Sequence, residues 1–384
     1  MKITHVALAG IVTDYWTYQD NLLPKYHKKN GYDVSIITSH FVYKDNGKIG
    51  IDNRKTYINE NGIKTIRLSV KNNKWFTYKF KRFPNLYKTI EKEEPNIIFV
   101  HGCQFVDLKV IEAYVKKNPE VKLYIDNHAD FNNSGTNWIS KNILHKWIWR
   151  CYAKRIEPLT TKFYGVLPAR VDFLINVYKL NKEKVELLVM GVDDENVIKI
   201  KNEIEQQNLR KEHNVLESDF LIVTGGKIDN NKKEILLLME AIAKLHNPKI
   251  KLLVFGSISE ELNESFQLLL NNNVKYIGWI QPTEVNKYLY IADLVMFPGL
   301  HSVLWEQSVG LGKPCVFRFI EGFQHVDLGG NCMFLEEHTV SKYCDVVMNI
   351  FTDKKLYENM KNTAVVNGTK EFSYYEIAKK SIEE

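Results

Sequence analysis

The sequence predicts an α/β protein of two Rossmann-like domains, each a parallel sheet covered by helices, and three observations predict it. Short β-rich runs alternate with helical patterns along most of the chain. The alternation stops once, in a polar, charge-rich stretch from about Asp193 to Ser218, and then starts afresh. The chain of 384 residues also exceeds what one hydrophobic core usually serves. Two doubly wound units in tandem satisfy all three.

The elements follow in order. Residues 3 to 9 (ITHVALA) read as a buried strand, followed by a loop through Gly10 and a helix that stops near Asn30-Gly31. Strand patterns recur at Tyr32 to Thr38, Gly62 to Val70, Pro95 to Gly102 and Val121 to His128. The charged stretch after Asp193 holds a helix-like segment. Beyond it come Phe220 to Lys227, Lys249 to Ser257, Asn273 to Ile280, Ala292 to Gly299 and Lys313 to Phe319, with helical segments between them. In open parallel sheets ligands sit outside the carboxyl ends of the strands, so residues just after those strands carry the most weight.

Composition narrows the class. Hydrophobic residues at 45% and charged residues at 26% lie in the ordinary globular range. No apolar run is long enough to cross a membrane, and MKITHVALAG leads into a polar, aromatic stretch, so a cytoplasmic protein is expected. The five cysteines form no CxxC pair or zinc-type cluster, and reduced thiols without a structural metal are expected. A net charge of +6 favours anionic partners. Basic residues interleave with aromatics from Lys74 to Lys88 and from His145 to Arg155, a mix suited to the inner face of a membrane and equally to a solvated helix face with an apolar back.

Two segments carry chemistry. In TGGKIDNNKKEILLLMEAI a strand ends in Gly225 and Gly226, Lys227 follows, and Lys232 and Lys233 open an apolar-periodic helix. Glycines admit a ligand to the backbone, and a helix N-terminus with two ammonium groups favours a diphosphate, although a plain turn with solvated lysines fits as well. Neither GxxxxGK[ST] nor GxGxxG occurs here. In DLVMFPGLHSVLWEQSVGLGKP a strand ends at Pro298-Gly299, a short loop carries His301 and Ser302, and a helix opens near Val303 with Glu306 in its first turn. Such a carboxylate accepts two hydrogen bonds from a vicinal diol, while free N–H groups at Val303 face phosphate; a plain dipole-complementing glutamate is the alternative.

Together the segments resemble the GT-B glycosyltransferases, and within them the large retaining group, family four. GGKIDNNKK supplies Lys227 where members have arginine, and Lys233 or Lys232 as the helix-opening lysine. Glu306 matches the second of two glutamates eight residues apart, and GLGKP matches the stop that follows. The resemblance implies that Lys227 and Lys233 bind the donor diphosphate and Glu306 the ribose. Pro298 stands where the first glutamate is usual, which leaves contact to the donor sugar open, with His301 or Ser302 as substitutes. VKYIGWI resembles the strand and loop that read the donor base, which places Gly278 and Trp279 there. LLVMGVDDENV resembles the element at the domain junction. The resemblance thus implies an acceptor domain over residues 1–190, a donor domain over 191–384, and a last helix, about 372–384, crossing back to the first, with the sheets facing across a cleft.

On the acceptor side, His128 follows a buried strand, and members often carry a histidine there; His101 is similarly placed. Gly10 and the polar, aromatic residues Asp14, Tyr15, Trp16, Tyr18 and Gln19 match the loop that approaches phosphate and acceptor. No DxD motif closes a strand, so lysines and helix N-termini are expected to stabilise the leaving group without a metal or cofactor. The resemblance implies transfer from a nucleotide-diphosphate sugar, a UDP sugar first among them, to a saccharide or lipid-linked hydroxyl in cell-surface polysaccharide or glycolipid synthesis. The alternatives are another GT-B sugar-nucleotide enzyme, such as an epimerase, and a non-enzymatic anion-binding protein. No nucleic-acid module is recognisable, so nucleic acid is not an expected partner.

Overall fold

Ile3 to Leu8 are buried without interruption, which a strand achieves only when both faces of its sheet are covered. This run seeds the first sheet of the computed structural model, which describes residues 1–44, 48–70, 81–131, 134 and 137–383. The chain divides into two compact units: Met1–Met190 with Tyr374–Glu384, and Gly191–Ser373.

In the first unit the strands are β1 (Lys2–Ala7), β2 (Asp33–Ser39), β3 (Phe41–Tyr43), β4 (Ile49–Ile51), β5 (Thr56–Ile58), β6 (Lys64–Leu68), β7 (Ile97–His101), β8 (Lys122–Asn127), β9 (Lys162–Gly165) and β10 (Val185–Leu187). Eight of them form one sheet in the order β10-β9-β8-β7-β1-β2-β6-β5, and β3 pairs with β4 in a separate antiparallel ribbon. The large sheet is parallel except at its edge, where β5 runs antiparallel to β6. The chain winds outward from β1 through β2 to β6 and resumes on the other side of β1 with β7. The strand order therefore reverses between β1 and β7, where a crevice forms beyond the strand ends. The helix Gln19–Lys29 buries Leu22, Leu23 and Tyr26.

The second unit contains β11 (Phe220–Ile228), β12 (Ile250–Ile258), β13 (Val274–Tyr276), β14 (Leu294–Phe297), β15 (Cys315–Arg318) and β16 (Cys332–Leu335). They form one parallel sheet in the order β13-β12-β11-β14-β15-β16, reversing between β11 and β14. The helix Glu234–Lys244 turns Ile235, Leu238, Met239 and Ile242 into the core, the i, i+3, i+4, i+7 spacing of a one-sided helix. The polar stretch after Asp193 forms two helices, Asp194–Ile200 and Glu203–Glu212.

Several short strands escape a reading of the sequence. β5, β9, β10 and β16 are three or four residues long and β3 and β4 three each, too few to display a period. Asn273 to Ile280, read as one strand, leaves the sheet after Tyr276, and Gly278 turns the backbone at φ +79°. Among the described residues no helix is long and apolar enough to cross a membrane.

Candidate active site

In the second unit the site begins where β11 and β12 end. Gly226 and Gly256 are paired across the two strands and both adopt positive φ, +109° and +117°. A Cβ on Gly256 would lie 1.8 Å from the Gly226 carbonyl oxygen, so two backbones approach where a side chain cannot fit. Lys232 uses the space this leaves. Its backbone and stem lie within 2.9 Å of where a Gly299 Cβ would stand, and its ammonium is 3.2 Å from the corresponding position on Gly226. The same Gly226 position is 3.8 Å from Leu304, and the Leu300 N–H donates to the Asn231 carbonyl at 3.2 Å. The two loops singled out from sequence thus meet, with Lys232 between them.

The lysine assignment changes as a result. Lys233, the first choice for the diphosphate, is exposed, whereas Lys232 is half-buried and burial lowers its pKa. Lys233 precedes the helix Glu234–Lys244 by one residue and its chain is directed to solvent, because the buried face of that helix starts at Glu234 and Ile235. Lys227 is exposed too, with its ammonium 3.3 Å from Asp229.

Glu306 sits in the short helix Leu304–Gly310 and is fully buried. It is not the open carboxylate inferred from its place in the first turn. Its Oε1 accepts from His301 Nε2 at 2.8 Å and from His325 Nε2 at 3.0 Å, which leaves Oε2 buried without a partner. Burial alone would raise this pKa, but the two rings hold the carboxyl well below the usual carboxylate range. Ser302 Oγ, Trp305 Nε1 and His325 Nδ1 are also buried without a hydrogen-bond partner. Four unmet polar atoms within 302–306 and 325 mark a place that a polar ligand completes. Trp305 floors it, stacked on Phe317 with ring centres 4.3 Å apart. Val303 caps the helix, and Gly278 and Trp279 follow β13, with the Trp279 side chain exposed.

In the first unit a cavity of about 1050 Å³ opens at the strand-order reversal. Gly10, Tyr18, Asp20, His101, Gln104 and His128 are among its lining residues. His128 Nε2 lies 3.4 Å from Asp126 Oδ1, and His101 Nδ1 lies 2.9 Å from Asp126 Oδ2. Asp126 also accepts from the Gly102 N–H at 2.9 Å and from Gln19 Nε2 at 3.2 Å. Burial opposes ionisation of Asp126, yet His128 and His101 hold its pKa far below the ordinary value. Lys81 reaches inward to the Ala9 carbonyl, and burial drops its pKa to about 8.

The loop after Gly10 is less available than its composition implied. Asp14 is taken up by Arg67, Arg54 and Tyr57 at 2.8 to 3.0 Å, and Trp16 stacks on Tyr43. Tyr15 and Tyr18 are exposed, and Gln19 is committed to Asp126. Asp126, His325 and Arg67 were not anticipated. Asp126 stands two residues before His128 on the same strand, a same-face spacing that would have flagged it; His325 lies alone in a loop and offers no such cue.

Residues 205–365 match the family model described as "Glycosyl transferases group 1", so the second unit carries a domain of that class. No curated protein matches the chain by sequence. Among solved structures, the fold is similar to a glycosyltransferase from Rickettsia africae, with a TM-score of 0.68 at 14% identity over 99% of this chain and 96% of that one. Alr3699/HepE from Anabaena, solved with UDP, gives 0.69 at 15% over 99% and 98%. A UDP-GlcNAc 2-epimerase from Neisseria meningitidis bound to UDP-GlcNAc gives 0.65 at 12% over 99% and 98%. The fold is the GT-B arrangement of two Rossmann-like units.

Proposed function

We propose that the protein is a glycosyltransferase that moves a sugar from a nucleotide-diphosphate donor, a UDP sugar foremost, to a hydroxyl acceptor. The observation that carries this reading is Glu306: a buried, ionised carboxylate with one oxygen pinned by two histidines and the other unmet. Beside it Lys232 stands over Gly226, where the chain has been cleared of side chains. A ribose hydroxyl fits the unmet oxygen, and the pyrophosphate fits the ammonium and the glycine backbone. His301 and Ser302, in the shortened loop ending at Pro298-Gly299, are placed to contact the remainder of the donor.

In the reaction the bond from the sugar's anomeric carbon to the diphosphate breaks, and a bond to the acceptor oxygen forms. The hydroxyl proton passes to the departing phosphate oxygen, with retention of configuration. Lys232, aided by Lys227, stabilises the charge that develops on the leaving group, so no metal or cofactor is called for. His101, Asp126 and His128 bring ligand-type atoms within 4.8 Å of one another, but both ring nitrogens of His101 are already hydrogen-bonded. The cavity that His128 lines is the acceptor's place.

A lipid-linked or membrane-proximal acceptor at the cytoplasmic face accords with one further surface. Ahead of and along the wide helix Ser140–Trp149, Trp138, Ile139, Ile143 and Trp147 are exposed, with Lys141 and Lys146 beside them. This shifts the surface inferred over His145 to Arg155, since His145 itself is buried against Tyr178. Of Lys74 to Lys88, residues 74–80 fall outside the described residues.

A thermal-shift panel of nucleotide sugars, run with and without chelator, tests the reading, because a ligand bound only by the native state raises the unfolding midpoint. A UDP sugar should raise it in chelator, and labelled sugar should then appear in an acceptor product. No shift with any nucleotide sugar would refute the reading. Labelled UDP-GlcNAc converted to an epimer without any acceptor would select the epimerase alternative, which the Neisseria likeness supports.

A further inference from the structure

Three histidines run in single file through the core of the first unit. His101 Nε2 lies 2.9 Å from His5 Nδ1, and His5 Nε2 lies 2.9 Å from His27 Nδ1. At one end His101 Nδ1 meets Asp126 Oδ2 at 2.9 Å. At the other, His27 Nε2 is 3.0 Å from the Ala378 carbonyl oxygen and 2.9 Å from Ser381 Oγ. His5 and His27 are fully buried and His101 nearly so, with Phe99 packed against all three rings. The rings come from β1, β7 and the helix Gln19–Lys29, and the terminal carbonyl comes from the C-terminal helix Tyr374–Lys380.

The protons in this file can be counted. Each ring-to-ring contact holds one proton, since two N–H groups or two lone pairs repel at this distance. The Ala378 carbonyl has only lone pairs to offer, so His27 donates to it through Nε2. His27 Nδ1 then accepts from His5 Nε2–H, and His5 Nδ1 accepts from His101 Nε2–H. His101 Nδ1 faces the Asp126 carboxylate and must donate as well. Four protons on three rings make one imidazolium, and only His101 has a carboxylate partner to balance it.

The electrostatics agree with the count. Burial lowers the pKa of His27 to about 3 and that of His5 well below its ordinary value. Burial also works against His101, but the Asp126 carboxylate outweighs it and raises the pKa, with Asp20 adding to the effect. The groups facing Asp126 are His101, His128, Gln19 and the Gly102 N–H. In the reverse arrangement all three rings are neutral with their protons on Nδ1, and the Ser381 hydroxyl donates to His27. That places the His27 lone pair 3.0 Å from the Ala378 oxygen, and Ser381 already has an acceptor in Ala378 at 2.9 Å.

We infer that His5 and His27 are positioning residues that keep one extra proton on His101, tying the seating of the C-terminal helix to the ionised Asp126 beside His128. The proton count stands on the geometry of this unit alone; only its consequence for sugar transfer rests on the function proposed above.

Ring ¹⁵N spectra of histidine-labelled protein at pH 7 test it. His101 should carry protons on both nitrogens, and His5 and His27 should be Nε2–H tautomers. Ser381→Ala should leave this pattern unchanged, since the serine is not the donor to His27. Three neutral Nδ1–H rings, or a tautomer switch at His27 in Ser381→Ala, would overturn the inference. Titration gives a second reading. His27→Gln keeps an acceptor for His5 and a donor for Ala378, whereas His27→Phe keeps neither. The midpoint for His101 should fall by about one pH unit in His27→Phe, the worth of one lost hydrogen bond, and stay near the wild-type value in His27→Gln. Equal midpoints in all three proteins would also overturn it. Should His27→Phe fail to fold, the wild-type tautomers still decide.

Discussion

Replacing Lys232 and Lys233 one at a time separates two neighbouring ammonium groups by what surrounds them. Lys232 lies across Gly299 with its ammonium over Gly226, and burial has stripped part of its water. A hydrogen bond from such a cation to a phosphate oxygen is worth about 1.5 to 3 kcal/mol. At tenfold per 1.4 kcal/mol, Lys232→Ala should weaken UDP binding by about 10- to 100-fold. Lys233 is exposed, and a solvated lysine one turn from a ligand contributes within about 0.5 kcal/mol, so Lys233→Ala should change affinity by about twofold at most. Neither change should lower stability much, because removing a partly desolvated cation relieves a cost. Titration calorimetry with UDP at one fixed ionic strength reads both values, since salt screens the exposed lysine more strongly. A larger loss in Lys233→Ala than in Lys232→Ala would refute the placement of the diphosphate.

Further outcomes follow from the same geometry. The folded-state pKa of Glu306 lies below its ordinary value of 4.5, so its ionisation contributes stability that is full above about pH 4.5 and lost as pH falls through the folded value. The stability gap between wild type and Glu306→Gln, measured by denaturant unfolding, should therefore narrow from pH 6 to pH 3, and parallel curves would count against the ionised carboxylate. Gly256→Ala sets a Cβ 1.8 Å from a backbone oxygen at φ +117° and should cost about 3 kcal/mol or more in urea unfolding; a cost under about 1 kcal/mol would show that β11 and β12 part easily. Trp138→Ser with Trp147→Ser removes two side chains that are 69% and 67% exposed. The pair should leave the unfolding midpoint unchanged and lower sedimentation with anionic vesicles at least about threefold; equal sedimentation would remove the membrane surface from the proposal.

What the sequence by itself determined is the layering and the position of the strand ends. Runs such as Ile3 to Ala7 and Leu221 to Val223 are apolar because both faces of a parallel sheet are covered, and that demand is written residue by residue along the chain. The loops after those strands, with Gly226, His128 and Glu306, were legible for the same reason. The tertiary structure alone decided which side chain enters the site. Lys232 and Lys233 are adjacent and identical in type, and only the packing of one helix on its sheet turns the first inward and the second to solvent. Glu306 reads as a free carboxylate until His325, nineteen residues on and unmarked by any local pattern, closes on it. The histidine file draws on residues 5, 27, 101 and 378, so no window of the chain contains it; hydrogen bonds between buried rings depend on distance in space, which spacing in sequence does not encode.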